Sequence, residues 1–459
     1  MQQATERLSG HHPGVTESGE QGATWGSVSD TALEARHLFK VFGKNPNQAV
    51  RRLEAGETRS DVLDAGTAAV IDASFTVKRG EIFVVMGLSG SGKSTLIRML
   101  NGLLPPTSGE VLIHGRNVTT AGPRELRQIR RESVSMVFQH FALLPHRSVI
   151  DNAAYALEIQ GVPRGERLDR ARVLLDKAGL AEWADARPDE LSGGMRQRVG
   201  LARALTAGTD VLLMDEAFSA LDPLIRREMQ QQLVELQQEL GRTIIFITHD
   251  LNEAMFLGDR IAVMRDGRIV QNGTPEEILT DPANDYVAQF VQDVDRTKVL
   301  TARTVMEPPH LTTPVSAGVR GALRVLREQQ ARAVFATEGR RLVGVVTDRA
   351  VIRAVKAGQT DLRAIVDQSV LTVGPDDLLT DIVESAVESP VPLAVVDAAH
   401  RLVGVIPRVT LLATLGNVEP STRELPVVQT PIDMVAEFTP LVDEAAAVPV
   451  PASGEGGQA

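Results

Sequence analysis

The chain has 459 residues, 43% of them hydrophobic and 23% charged, and no cysteine. These are ordinary globular proportions, and they exclude disulfide frameworks, zinc–thiolate sites, iron–sulfur clusters and thiol nucleophiles. The net charge of −11 is concentrated at the ends: residues 1–30 carry −3 and residues 416–459 carry −6, which leaves 31–415 almost neutral. A folded part without a net basic stripe is a poor phosphate-backbone binder, so no nucleic acid is expected as a partner.

The first thirty residues are rich in Gly, Ser, Thr and Gln and have no apolar period. They read as a disordered leader over 1–30, with neither the basic start nor the apolar run of a secretory signal. No uncharged apolar run approaches the ~18 residues of a membrane helix, so a soluble, cytosolic chain is expected. Residues 44–68 read as an amphipathic helical insert, placed ahead of a strand near Ile71–Val77 and expected to lay its stripe on its own domain. Ile82-Phe-Val-Val-Met86, Val211-Leu-Leu-Met214 and Thr243-Ile-Ile-Phe-Ile247 are short apolar β-rich runs. Each is followed by a helical stretch, Lys93–Leu104, Pro223–Leu240 and Leu251–Leu257, so parallel strands and an α/β sheet are expected over 31–295. Residues 148–190 break this rhythm and read as a helical insertion, part of a helical subdomain spanning about 148–207.

Residues 301–415 contain a repeat. Arg341-Leu-Val-Gly-Val-Val346 returns as Arg401-Leu-Val-Gly-Val-Ile406, offset by 60 positions. Each copy, 301–360 and 361–415, reads helix, strand, turn, strand, helix, and two copies suit a pseudo-symmetric pair better than a solenoid. Residues 416–459 read as a disordered acidic tail rich in Pro, Ala and Gly.

Three motifs carry chemistry. Gly87-Leu88-Ser89-Gly90-Ser91-Gly92-Lys93-Ser94, with Thr95 next, sits between a strand and a helix. Its glycines let backbone N–H groups curl around phosphate oxygens, Lys93 supplies charge to the β and γ phosphates, and the Ser94 hydroxyl can ligate magnesium. The strand Val211–Met214 ends in Asp215 and Glu216. Asp215 can serve the metal, and Glu216 can polarise an attacking water. Leu191-Ser192-Gly193-Gly194-Met195-Arg196-Gln197 places a second set of free N–H groups at a helix start, near Met195. The simplest use of two phosphate loops in one chain is a head-to-tail pair of subunits, each closing the other's site.

With these residues in view, the block from Phe42 to Asp285 resembles the ATP-binding cassette of ABC transporters. Gly87–Ser94 looks like its Walker A loop, Val211–Glu216 its Walker B strand and Leu191–Gln197 its signature. Gln139 matches the Q-loop, Ser219-Ala220-Leu221-Asp222 the D-loop, His249 the switch histidine, and Phe42 the aromatic residue that stacks on adenine. The stretches His37–Pro46, Met86–Lys93, Phe138–His146 and Met214–Ile225 are similar to the quaternary-amine uptake branch, the ATPase subunits of glycine betaine/proline importers. The repeat resembles the tandem CBS pair which that branch carries. The implied fold is a P-loop NTPase of the ABC type, a RecA-like core with antiparallel β and helical subdomains, followed by a tandem CBS α+β domain. The implied activity is ATP hydrolysis in a sandwich dimer. Glu216 is the general base, His249 and Gln139 lie at the γ-phosphate, Ser94, Gln139 and Asp215 serve Mg²⁺, and the 191–197 signature acts in trans. The implied partners are a second ATPase subunit, an integral membrane permease and, indirectly, an extracytoplasmic substrate-binding protein or domain. The implied place is the cytoplasmic face of the membrane, peripherally bound. The apolar run Phe141-Ala-Leu-Leu-Pro145 falls where the family meets its permease.

Two other readings stand beside this one. A non-transport ABC ATPase usually has two cassettes or a long coiled coil, neither of which is here. A nucleotide-sensing module would need no general base, yet Glu216 is intact. In the repeats the Thr and Asp that mark nucleotide-binding CBS copies are half missing: Thr347 is present with Ala350 three residues on, and the second copy has Pro407 and Thr410. The pair is therefore expected to be regulatory or to stabilise a dimer, without an assigned ligand.

Overall fold

Burial alternation separates the sheets. The structure, a computed structural model, describes residues 30–139 and 142–415; the expected leader, the expected tail and Phe141 of the apolar run lie outside them. β2 (Thr67–Lys78) alternates buried and exposed positions from Ile71 on, as a one-sided antiparallel strand does, and β1 (Thr31–Phe42) departs from alternation where its register with β2 shifts. They pair with each other and, with β4 (Ser108–Ile113) and β5 (Arg116–Asn117), make a four-stranded antiparallel sheet.

The second sheet has six strands. β3 (Ile82–Met86) and β7 (Val211–Asp215) are buried at every position, and so is β8 (Thr243–Thr248). With β6 (Val134–Val137), β9 (Arg260–Arg265) and β10 (Arg268–Gly273) the order is β10-β9-β3-β8-β7-β6, parallel except for the β9–β10 hairpin. Met86 pairs with Thr248, and Asp215 with Ile247. The carboxyl ends of β3, β7 and β8 therefore finish level, and the residues after them emerge side by side.

Helices cover both faces, with a separate helical layer over 149–206. Val149–Ala153, Tyr155–Gln160, Arg164–Lys177 and Gly193–Thr206 enclose their own core of Val149, Leu175, Leu191, Val199 and Ala202. Three boundaries differ from the sequence expectation. The helix after Lys93 ends at Leu100 rather than Leu104, because the Asn101 side chain turns back to accept the Leu103 N–H at 2.9 Å. The signature helix begins at Gly193, two residues before Met195, with Ser192 as its N-cap. The insert is helical only over Pro46–Glu54; past it, Asp61 accepts from the Thr58 N–H and hydroxyl, and the chain turns.

The repeat forms two three-stranded sheets. β11 (Thr312–Pro314), β12 (Ala333–Glu338) and β13 (Arg341–Thr347) make one; β14 (Thr372–Val373), β15 (Leu393–Val396) and β16 (Leu402–Ile406) make the other. The 60-residue offset seen in the sequence organises their contact. The Leu342 N–H donates to His400 O and the Leu402 N–H to Arg340 O, while bridges Val345–Asp367 and Glu307–Val405 repeat the relation. The segments that lead into the copies are exchanged. Ala302 and Val305 pack with Leu379, Ile406 and Leu411 of the second copy, whereas Leu362 and Val366 pack with Val334 and Val346 of the first. The boundary drawn at 360/361 therefore divides the sequence repeat but cuts across the packing.

Candidate functional site

The loop after β3 is shaped by close backbone approaches. Gly92 has φ +107°, and a Cβ there would stand 2.2 Å from Ala69 O, so this position accepts no other residue without moving β2. Lys93 begins the helix Lys93–Leu100 and is buried; its ammonium donates to Gly87 O at 2.7 Å and Leu88 O at 3.1 Å. Burial holds its pKa below the usual lysine range, opposed by the charges of Glu216 and Asp215.

Both carboxylates face this loop. The Ser94 hydroxyl donates to Asp215 Oδ1 at 3.2 Å. Burial pushes the Asp215 carboxyl up, against the hydrogen bond from Ser94 and the charge of Arg98. A buried carboxylate beside a hydroxyl is an oxygen-donor pair that suits a small hard cation, and phosphate oxygens and water can complete its coordination. Glu216 leaves the strand at φ 47°, left-handed for a residue with a side chain. Its N–H is tied to Ile247 O at 3.0 Å and its carbonyl accepts from the Ser219 hydroxyl at 2.9 Å, so the turn is held from both sides. Its carboxylate reaches His249 Nδ1 at 3.1 Å. Ser89, Gly90, Gly92, Lys93, Ser94, Thr95 and Glu216 line one cavity of about 230 Å³, together with Ala69 and Arg59.

The remaining predicted residues take separate places. Gln139 donates to the Ser219 hydroxyl at 3.4 Å, bringing the expected Q-loop to the expected D-loop. Ala220 is exposed and Leu221 buried, and Asp222 caps the helix Pro223–Leu240 by accepting from the Ile225 N–H at 3.1 Å. Phe42 is 47% exposed at the end of β1 with the Lys40 ammonium over its ring, so it is available for stacking rather than part of the core. Ser192 is exposed and accepts from the Met195 N–H, Gly193 has open space around its Cα, and Gly194 sits beside Ile225. None of these three lines the Lys93 cavity of its own chain. Gln197 departs from expectation: it is fully buried in the helix Gly193–Thr206, so it faces the core rather than a second subunit.

Two features had no readable signal. Arg59 belongs to an insert with no motif, and only the folded chain carries it to the phosphate loop. Glu253, one turn past His249, is buried with its carboxylate accepting from Gln230 at 3.0 Å, and Arg226 pairs with the neighbouring Asp250 at 3.2 Å. Polar residues at helix starts are usually caps, as Asp250 is here, so nothing local marked this network.

Comparison with known proteins gives the family. The ABC transporter family profile matches residues 70–219 and the CBS domain profile residues 302–357. The chain is 47% identical over 390 residues to the glycine betaine/carnitine transport ATP-binding protein GbuA of Listeria monocytogenes, covering 84% of this chain and 98% of that protein. It is 47% identical over 393 residues to the glycine betaine transport ATP-binding protein OpuAA of Bacillus subtilis, covering 84% and 93%. It is 46% identical over 389 residues to the glycine betaine/proline betaine transport system ATP-binding protein ProV of Salmonella typhimurium, covering 83% and 97%.

Proposed function

Since the chain belongs to the family of ABC-transporter ATP-binding subunits, in the branch that serves glycine betaine uptake, we propose that it hydrolyses ATP to drive import of glycine betaine, proline or a related quaternary amine through a membrane permease. The observation that carries this reading is the meeting of Lys93, Ser94, Asp215, Glu216 and His249 at the level ends of three parallel strands, where Lys93, Ser94 and Glu216 line one cavity and Asp215 and His249 are hydrogen-bonded to Ser94 and Glu216.

In this reading the adenine stacks on Phe42 and the phosphates lie along Gly87–Thr95, with Lys93 releasing its two loop carbonyls to meet them. Ser94, Asp215 and Gln139 hold magnesium, which supplies charge neutralisation on the phosphate oxygens. Glu216 takes the proton of the attacking water, and His249, bonded to it, fixes the carboxylate's direction toward the γ-phosphate. Ser192, Gly193 and Gly194 of a second copy close the cavity, with Ser219–Asp222 at the seam. The chain's outer contacts are a permease and, through it, an extracytoplasmic binding protein or domain, which places it at the cytoplasmic membrane face. Among the described residues no helix is long and apolar enough to cross a membrane. A cavity of about 360 Å³ beside exposed Phe138 and Ile159, between the Gln139 loop and the helical layer, is a suitable seat for a permease helix. The CBS pair is regulatory in this reading.

Glu216→Gln tests the chemistry. Turnover should fall at least about a hundredfold, ATP binding should survive, and a dimer should accumulate with ATP. Retention of full turnover would remove Glu216 from its role. Competitive uptake of labelled betaine, proline and choline, with and without the subunit, identifies the solute.

A further inference from the structure

We propose that Arg59, delivered by the insert between β1 and β2, is a nucleotide-binding residue that reaches the phosphates of bound ATP. This rests on the reading of the Lys93 cavity as the ATP site and adds to it a residue from outside the Walker, signature and loop motifs.

The insert is a fixed excursion rather than a loose loop. At its base the Asn45 N–H donates to Ala65 O at 3.1 Å. Ala49, Val50, Leu53, Val62 and Ala65 form a small core against Phe39, Val41 and Ile71. Arg52 binds the far side together: it pairs with Glu57 at 2.7 Å and Asp64 at 2.7 Å and donates to Asp61 O at 2.6 Å. Thr58 is locked to Asp61 by two bonds, at 2.8 Å and 2.7 Å. Arg59 therefore leaves a backbone that is held on both sides.

Its position is specific. Arg59 lines the 230 Å³ cavity with Ser89, Gly92, Lys93, Ser94 and Glu216, and it also lines an adjoining cavity of about 740 Å³ that includes Leu63, Thr67 and Ile71. Thr67 is the β-register partner of Phe42. A ligand with its phosphates at Lys93 that extends toward Thr67 and its strand partner Phe42 would lie against Arg59, the residue these two cavities share. The guanidinium's charged neighbour is Asp266, on the β9–β10 turn, at 3.6 Å, and Asp266 is also approached by Arg265 at 3.4 Å. A pair at that distance, with Arg59 half-buried and Asp266 exposed, is weak and readily exchanged. Around the phosphate loop, Lys93 faces two carboxylates, Asp215 and Glu216. A triphosphate carries more negative charge than one lysine and one divalent cation neutralise. A planar guanidinium matches phosphate oxygens, and it is free to leave Asp266 for them.

The test measures equilibrium binding of ATP and of adenosine to the full chain, with Arg59→Ala, Arg59→Lys, Asp266→Asn and Lys93→Ala. Arg59→Ala should weaken ATP about tenfold, in Kd and in KM, with adenosine nearly unaffected. Arg59→Lys should recover part of the loss, and Asp266→Asn should bind ATP at least as tightly as the wild type. If Lys93→Ala weakens ATP but Arg59→Ala does not, Arg59 is no phosphate ligand while the site stands. If ATP and adenosine weaken together in Arg59→Ala, the residue serves the insert's fold and the inference fails. Should Lys93→Ala leave ATP binding intact, the site itself is misplaced and the inference falls with it.

Discussion

Glu216 and Glu253 show what a few ångströms of burial do to the same side chain. Glu216 keeps a partly open carboxylate pointed at His249, at the cost of a left-handed backbone that two hydrogen bonds hold in place. Glu253 is closed off, and burial pushes its carboxyl up, opposed by hydrogen bonds from Thr248 and Gln230. A carboxyl raised in the folded state favours the fold below its unfolded pKa, and that contribution is lost as pH rises through the folded value. Above that range the ionised, buried Glu253 weakens the protein. Glu253→Gln keeps the shape without the charge, so its melting temperature should exceed the wild type's by a few degrees at pH 8, with the gap closing as the solution is acidified through the carboxylate range. A less stable variant at pH 8 would mean that the Glu253 charge is compensated.

At the scale of elements, the repeat joins its halves through backbone. A Cβ on Gly344 would stand 2.3 Å from Asp367 O, inside the Val345–Asp367 bridge, whereas one on Gly404, 60 positions later, would meet the flexible Met306 side chain at 2.6 Å. Gly344→Ala should therefore destabilise the pair by about 1–3 kcal/mol or more, and Gly404→Ala by less, as read by limited proteolysis and thermal unfolding. Equal effects would argue against an exchanged backbone bridge. The same elements show where sequence reasoning succeeds. β3 and β8 were legible because β3 is apolar throughout and β8 carries the apolar run Ile244–Ile247 between two threonines, and the loop because the spacing of Gly87, Gly92, Lys93 and Ser94 is that of a phosphate-binding motif. The helix end at Asn101 was missed because one local hydrogen bond overrides the apolar period. The exchange of Ala302 and Leu362 between copies was missed because pairing across such distances leaves no mark in either segment. Gln197 was placed with the signature by adjacency, but helical periodicity turns it inward.

At the scale of the molecule, the proposed reading gives one chain both halves of a nucleotide site in different places. Lys93 and Glu216 line one cavity, with Asp215 and His249 hydrogen-bonded to its lining residues Ser94 and Glu216, while Ser192 and Gly194 are displayed at another helix start and do not line it. If each cavity is closed by the other copy, two inactive variants can repair each other. Lys93→Ala destroys one half of a site and Ser192→Glu, which sets a negative charge where phosphate should approach, destroys the other. In a mixed dimer, one site carries both lesions and its twin carries none. ATPase activity of the two purified full-length variants, alone and mixed, is the direct measurement. A shared site predicts that both are inactive alone and that the mixture regains up to about a quarter of wild-type turnover, the ceiling for random pairing with one good site per mixed dimer. A mixture as inactive as its parts, or a Ser192→Glu protein that hydrolyses ATP normally by itself, would contradict it.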